Sequence, residues 1–396
     1  MNSVRARVWR FTVKKGMAGA EAVQAIEIGQ GSLPVSLAAV ININALACDL
    51  RKTVDQGVRD HEISLLLSYI ASSPRTGPLG VDCPSLDSSS LHIRRFVSEC
   101  TGLGVMTSVS EALFDWKPGS DRLSSFDVLP DKLVGTYSKK GVRPDLLYDL
   151  AAGPIAGEAR GRRRDHVQMF PVGKGTPAQK ARLVKLAQWS DDHNDHAYFM
   201  SWVWLGTGGV YVDIFLPDGS PATTKLRTNW IEVPGSTTPW SIRVLQPDVR
   251  RHRDQMVDLE QDVLVVARAD SAREPGGMDS VDAARAHVRT AISRAEPVVE
   301  EAMRRSFDRE EENRLGTLSG VEVRGRWIRG DAVGQARYEV LLGVLGEQVP
   351  GDYRSRRLAS TADRLDVFLE GRLLTVVHPV DGPRPSWHRI QAELLQ

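Results

Sequence analysis

Residues 144–164 read PDLLYDLAAGPIAGEARGRRR. Two short apolar runs, RPDLLYDL and AAGPIAGEARGR, are too brief for helices and read as strands, with Gly153–Pro154 marking the turn between them. Side chains alternate faces along a strand, so Glu158 and Arg160 point the same way. If the two strands pair, Asp145 comes to lie beside Glu158 at one end of the sheet. Two converging carboxylates form a hard oxygen site suited to Mg²⁺ or Mn²⁺. Such an ion activates water and offsets charge developing on a phosphodiester, and a neighbouring cation steadies the pentavalent transition state. The arginines directly behind, Arg162, Arg163 and Arg164, suit backbone phosphates, which they grip as bidentate forks. The structural alternatives are a strand-end acid at Asp145, a solvated Glu158–Arg160 pair and a solvated basic loop.

Charge supports a polyanion. The chain of 396 residues carries a net charge of only +1, yet residues 139–185 hold eleven Lys/Arg, Lys174 among them, against four acids, a local +7. A basic field confined to one window of a neutral protein predicts a polyanion that meets one face. Arginine outnumbers lysine 40 to 11, the composition of a GC-rich bacterial genome.

Outward from this stretch, residues 88–116 are mainly helical with a break at Gly102–Gly104, and HEISLLLSYIASS from His61 is a second helix. VRARVWRFTV is strand-like, while AGAEAVQAIEI and LAAVININALACDLRKTVDQGV fit strand or helix. Thr176 as N-cap and Pro177 at the first helical position open a helix through GTPAQKARLVKLAQWSDDHND. AYFMSWVWLG and VYVDIFLP read as strands joined by GTGG; together they are long enough to span a bilayer, but the GTGG break and Asp213 argue for a hairpin. Residues 280–315 are helical. GVEVRGRWIRG, ARYEVLLGVL and RLDVFLEGRLLTVVHP are strands, the last a hairpin turning at Glu370–Gly371.

Pro144–Asp145 followed by Glu158–Ala159–Arg160 resembles the PD-(D/E)xK nuclease superfamily, the restriction-endonuclease-like fold, over residues 88–216. The resemblance implies an α–β–β–β–α–β core and metal binding by Asp145 and Glu158. It implies a further acid from the first helix, Glu111 in SEALFDW, and polar active-site residues Gln179 and Lys180 on the helix after the motif. Arg160 stands where the family has lysine. Arginine is always charged and planar, so Arg160 serves as an electrostatic clamp, or Lys180 supplies the amine, or catalysis is lost and binding retained.

The expected class is α/β (α+β): an N-terminal α/β region (1–85), a restriction-endonuclease-like core with a mixed central sheet flanked by helices (86–245), and a C-terminal α+β domain (246–396). The expected function is Mg²⁺- or Mn²⁺-dependent hydrolysis of nucleic acid, DNA ahead of RNA, in DNA processing or defence. The rival is an inactive nuclease-like subunit that binds nucleic acid or assembles with protein partners. Three cysteines form no disulfide framework and suit a reducing, cytoplasmic setting, with no membrane association. His193 and His196 in DDHNDH read as a polar helix end before a metal site, and Trp202 and Trp204 as core before a base-stacking platform. Trp327 sits among arginines. No GxSxG elbow or P-loop is present.

Overall fold

The structure is a computed structural model. It describes residues 2–15, 21–47, 56–70, 77–114, 116, 123–125, 144–150, 153–164, 177–192, 196–218, 313–330, 337–347, 349 and 365–395.

Two sheets organise the described residues. The first, sheet A, has the order β2-β1-β8-β7-β6-β5-β4. Its strands are β1 (Asn2–Lys15), β2 (Glu21–Val35), β4 (Leu123–Ser125), β5 (Leu146–Leu150), β6 (Gly153–Arg163), β7 (Tyr198–Gly206) and β8 (Gly209–Pro217), and the two-residue β3 (Gly77–Pro78) joins beside β1. The sheet is mixed: β6–β7 and β1–β8 are parallel and the other main pairs antiparallel. β7 is buried along its whole length, as a central strand rich in aromatic and β-branched residues must be when both faces are covered. Gly206 pairs with Gly209 to close the β7–β8 hairpin, and Gly209 adopts φ +122°, which a residue with a Cβ rarely does. The GTGG hairpin therefore stands as expected.

Helices cover both faces. On one lie α1 (Leu37–Ala47), α2 (Gln56–Ile70), α3 (Cys83–Ser88) and α4 (Leu91–Leu113); on the other, α5 (Pro177–Asp192) buries Leu183, Leu186 and Trp189 against Ala156, Met200 and Phe215. α4 runs unbroken through Gly102 and Gly104, where the sequence suggests a break. Those glycines serve close approach instead. A Cβ on Gly102 would lie 2.7 Å from the backbone N of Gly161 on β6, and one on Gly161 would lie 1.6 Å from the Ser98 carbonyl oxygen. Backbone thus packs on backbone, and α4 is pressed onto β6.

The second, sheet B, is antiparallel, in the order β12-β13-β11-β10-β9: β9 (Asn313–Leu318), β10 (Val321–Arg329), β11 (Tyr338–Leu345), β12 (Asp366–Glu370) and β13 (Leu373–Pro379). The start of β9 replaces the helix expected to continue to residue 315; the rest of that expected helix lies outside the described residues. The hairpin at Glu370–Gly371 is present, with Gly371 at φ +57°. One face of sheet B packs on α1 and α2, the other carries α6 (Trp387–Leu395) through Ile390 and Leu394. The layers run α5, sheet A, the helices α1, α2 and α4, sheet B, α6.

The stacking crosses the expected boundaries near residues 85 and 245. β1 and β2, from the expected N-terminal region, are strands of the same sheet as the core, and one hydrophobic cluster runs from Val4 through Val40 and Val105 to Val340 and Leu373. Polar contacts fasten sheet B to the helices. Asp366 accepts the Ser36 hydroxyl at 2.6 Å and the N–H groups of Leu37 at 2.6 Å and Ala38 at 3.1 Å, capping the N-terminus of α1. Asn42 donates to the Leu373 carbonyl at 2.9 Å, Ser64 to the Arg329 carbonyl at 2.7 Å, and Arg326 pairs with Asp60.

Candidate active site

β5 and β6 pair as expected, with Leu146 opposite Gly157 and Leu150 opposite Gly153. Gly153 and Pro154 are therefore the first residues of β6, and the connection falls between Leu150 and Gly153. β5 begins just after Asp145, while β6 continues to Arg163 with β7 as its partner. Among the described residues no strand pairs with the β5 side of β6 past residue 157, and an unpaired edge leaves N–H groups to be satisfied. Carboxylates do this. Ala159 donates its N–H to Asp145 Oδ2 at 2.7 Å, and Gly161 donates to Glu99 Oε2 at 3.3 Å. Asp145 in turn donates its backbone N–H to the Gly157 carbonyl at 2.9 Å. Asp145 therefore sits next to Glu158, as expected from pairing.

Glu158 is fully buried. Its Oε1 takes Arg160 Nη2 at 2.6 Å and Arg182 Nε at 2.7 Å, with Arg182 Nη2 on the same oxygen. Its Oε2 is buried with no hydrogen-bond partner among the described residues. Burial, and then the nearby Asp145 charge, push the Glu158 carboxyl up to about 8 against the pull of Arg160 and Arg182. Burial also raises Asp145, opposed chiefly by Arg160 and helped by the charge of Glu99. Two acids that both resist ionisation, side by side, are the electrostatic condition a bound cation relieves.

Helix α4 supplies Glu99, not Glu111. Glu99 reaches Arg162 Nη1 at 2.5 Å as well as Gly161 N. Glu111 lies twelve residues further along α4, about 18 Å along its axis. The Gly102–Gly161 contact selects between the two acids, since Glu99 is next to the residue, Ser98, that touches β6.

From α5, Gln179 is buried and Lys180 is half-buried, and it is Arg182 that reaches Glu158. Arg182 is three residues beyond Gln179, the spacing that puts both on one helical face. The sequence shows that face, but not which of its cations, Lys180 or Arg182, reaches the acid. Behind the motif, Arg163 forms a two-point ion pair with Asp87, Nε–Oδ1 at 2.9 Å and Nη2–Oδ2 at 2.6 Å, which ties β6 to α3. Arg162 lies over Trp202 at 5.7 Å and Arg164 over Trp204 at 4.7 Å. Lys174 and His193 lie outside the described residues. His196 contacts the Ala197 carbonyl and the edge of Trp189. Trp202 and Trp204 are buried, and Trp327 is covered by Arg384 at 5.2 Å.

The oxygen donors that gather here are those of Asp145 and Glu158, with Glu99 close enough for its charge to act on Asp145; among the described residues no cluster of three or more His, Cys, Asp or Glu side chains holds metal-ligand geometry. The groups that could hold a divalent cation are the unpartnered Glu158 Oε2 and the Asp145 carboxylate. No helix among the described residues is long and apolar enough to cross a membrane. No known protein family, curated protein or solved structure matches the chain.

Proposed function

We propose that this protein is a nuclease-type hydrolase that cleaves phosphodiester bonds of a polynucleotide, DNA ahead of RNA, with Mg²⁺ or Mn²⁺. The carrying observation is the buried, unpartnered Oε2 of Glu158 beside Asp145. The order α4–β4–β5–β6–α5–β7, with β4, β5 and β6 antiparallel and β7 parallel to β6, supports a restriction-endonuclease-like core. Asp145 and Glu158 would hold the cation, which when bound supplies an activated water and charge neutralisation. Arg160 and Arg182, fixed on Glu158, hold permanent positive charge where the scissile phosphate would gather negative charge. Arg182 thereby shares the role expected of Arg160 and Lys180. Glu99 replaces Glu111 as the helix acid and steers Arg162.

A second reading rests on the same arginines. Two guanidiniums on Glu158 Oε1 balance the acid without a metal, which favours an inactive nuclease-like module that binds nucleic acid or assembles with other proteins. The deciding experiment measures cleavage and binding of plasmid, linear duplex and single-stranded DNA with Mg²⁺, Mn²⁺ or EDTA, for wild type and Glu158→Ala. Metal-dependent cutting lost in the variant supports the hydrolase. Binding without cutting by either protein supports the inactive module.

A further inference from the structure

On the α5 side of sheet A, alternate residues of neighbouring strands form rows. Register sets Arg160 beside Trp202, Trp202 beside Asp213 and Asp213 beside Arg7; the next row is Arg162, Trp204, Tyr211 and Arg5. In the first row both arginines are paired with buried acids, Arg7 with Asp213 and Arg160 with Glu158. Asp213, fully buried, accepts Trp9 at 2.9 Å, Trp204 at 3.0 Å and Arg7 at 3.1 Å, which locks both indoles edge-on to one carboxylate.

The second row is basic and aromatic. Arg5 lies over Tyr211 at 5.7 Å and Arg162 over Trp202 at 5.7 Å. Arg164, the next alternate residue after Arg162, lies over Trp204 at 4.7 Å. Arg5 is exposed, and the Arg162 side chain keeps 43 % of its surface open even while Nη1 meets Glu99. A guanidinium resting on a ring uses its flat face and keeps in-plane N–H donors for an anion, and the ring underneath fixes where those donors point. These cations are spread along a line instead of converging on a point, so they suit repeated phosphates better than one. The line starts at the carboxyl pair, because Glu158, Arg160 and Arg162 share one face of β6. From β6 to β1 it crosses three strand spacings, about 14 Å, the length of about four nucleotides at one strand's rise of about 3.4 Å.

We propose that Arg162, Arg164 and Arg5 form the track on which a polynucleotide backbone lies as it leaves the Asp145–Glu158 site and crosses β7 and β8 to β1. The first strand of the chain is then part of the substrate surface. The direction of the track rests on the nuclease reading; its affinity for nucleic acid does not.

The test uses the full chain in EDTA, so that nothing is cut. Affinity for labelled single-stranded and duplex oligonucleotides is measured across about 50–200 mM salt for wild type, Arg5→Gln, Arg162→Gln and, as a basic residue on sheet B, Arg314→Gln. Each track variant is expected to weaken binding about three- to tenfold and to flatten the log–log salt slope by about 0.7–0.9. Arg314→Gln is expected to match wild type. Failure of wild type to bind, or an Arg5→Gln protein with unchanged melting temperature, affinity and salt slope, overturns the track. Binding that depends on Arg5 in a protein that cuts nothing with metal retires the hydrolase reading and leaves the track standing. Metal-dependent cutting with no effect of Arg5→Gln does the reverse.

Discussion

Asp145 accepts the backbone N–H of Ala159 at 2.7 Å, so a candidate metal ligand also closes the open edge of β6. The two roles separate by substitution. Asp145→Asn keeps an acceptor oxygen for Ala159 and removes the charge, whereas Asp145→Ala removes both. Thermal melts should show the asparagine variant near wild type and the alanine variant about 1 kcal/mol less stable. Both should lose metal-dependent cleavage. Full cleavage by Asp145→Asn would leave the residue as an edge cap alone.

The raised carboxyl of Glu158 predicts a pH profile of stability. Its pKa stands at about 8 in the folded protein against an ordinary 4.5. The folded state thus holds a proton that the unfolded chain gives up, and stability falls as pH rises from about 4.5 and levels off above about 8. Glu158→Gln should flatten this part of the profile. On the proposed reading a divalent cation would bind the ionised pair, so Mn²⁺ should raise the melting temperature of wild type more at pH 8 than at pH 6, and of Glu158→Gln at neither. Equal shifts in both proteins would place the ion elsewhere.

Asp213 holds two indoles and a guanidinium with one buried carboxylate. In Asp213→Asn only one oxygen can accept, and Arg7 loses its ion partner. Removing one partner of a buried pair typically costs about 3–5 kcal/mol, and denaturant unfolding should register a loss of that order. A change under about 1 kcal/mol would mean that the cluster relaxes without strain.

Gly161→Ala tests the pressing of α4 on β6. The new Cβ would need the space of the Ser98 carbonyl oxygen, and backbone cannot step aside as a side chain can. The expected cost is about 3 kcal/mol. Because Glu99 and Arg162 flank this contact, metal-dependent cleavage should fall as well, measured at a temperature where the variant is still folded.

Strand pairing was legible where short apolar runs met turn residues: β5 with β6, β7 with β8, β12 with β13. The meeting of Asp145 and Glu158 followed from that pairing. Glu99 was not legible, because Glu99 and Glu111 share one helix and only a glycine contact made through space chooses between them. The placing of β1 and β2 in the core sheet was equally hidden, since β1 runs beside β8, some two hundred residues away in the chain. The pairing of Arg163 with Asp87 was not legible either, because the two lie far apart in sequence.

The seating of Asp366 on the first turn of α1 has a consequence for synthesis. A ribosome releases residues 37–47 early, yet the strands that cover them, β12 and β13, emerge only at residues 366–379. At about 5–20 residues per second, the nascent chain waits on the order of 20–60 s with the sheet-B side of that apolar helix uncovered. Apolar surface exposed for that long is prone to aggregate, so translation pauses late in the message would be felt at its beginning.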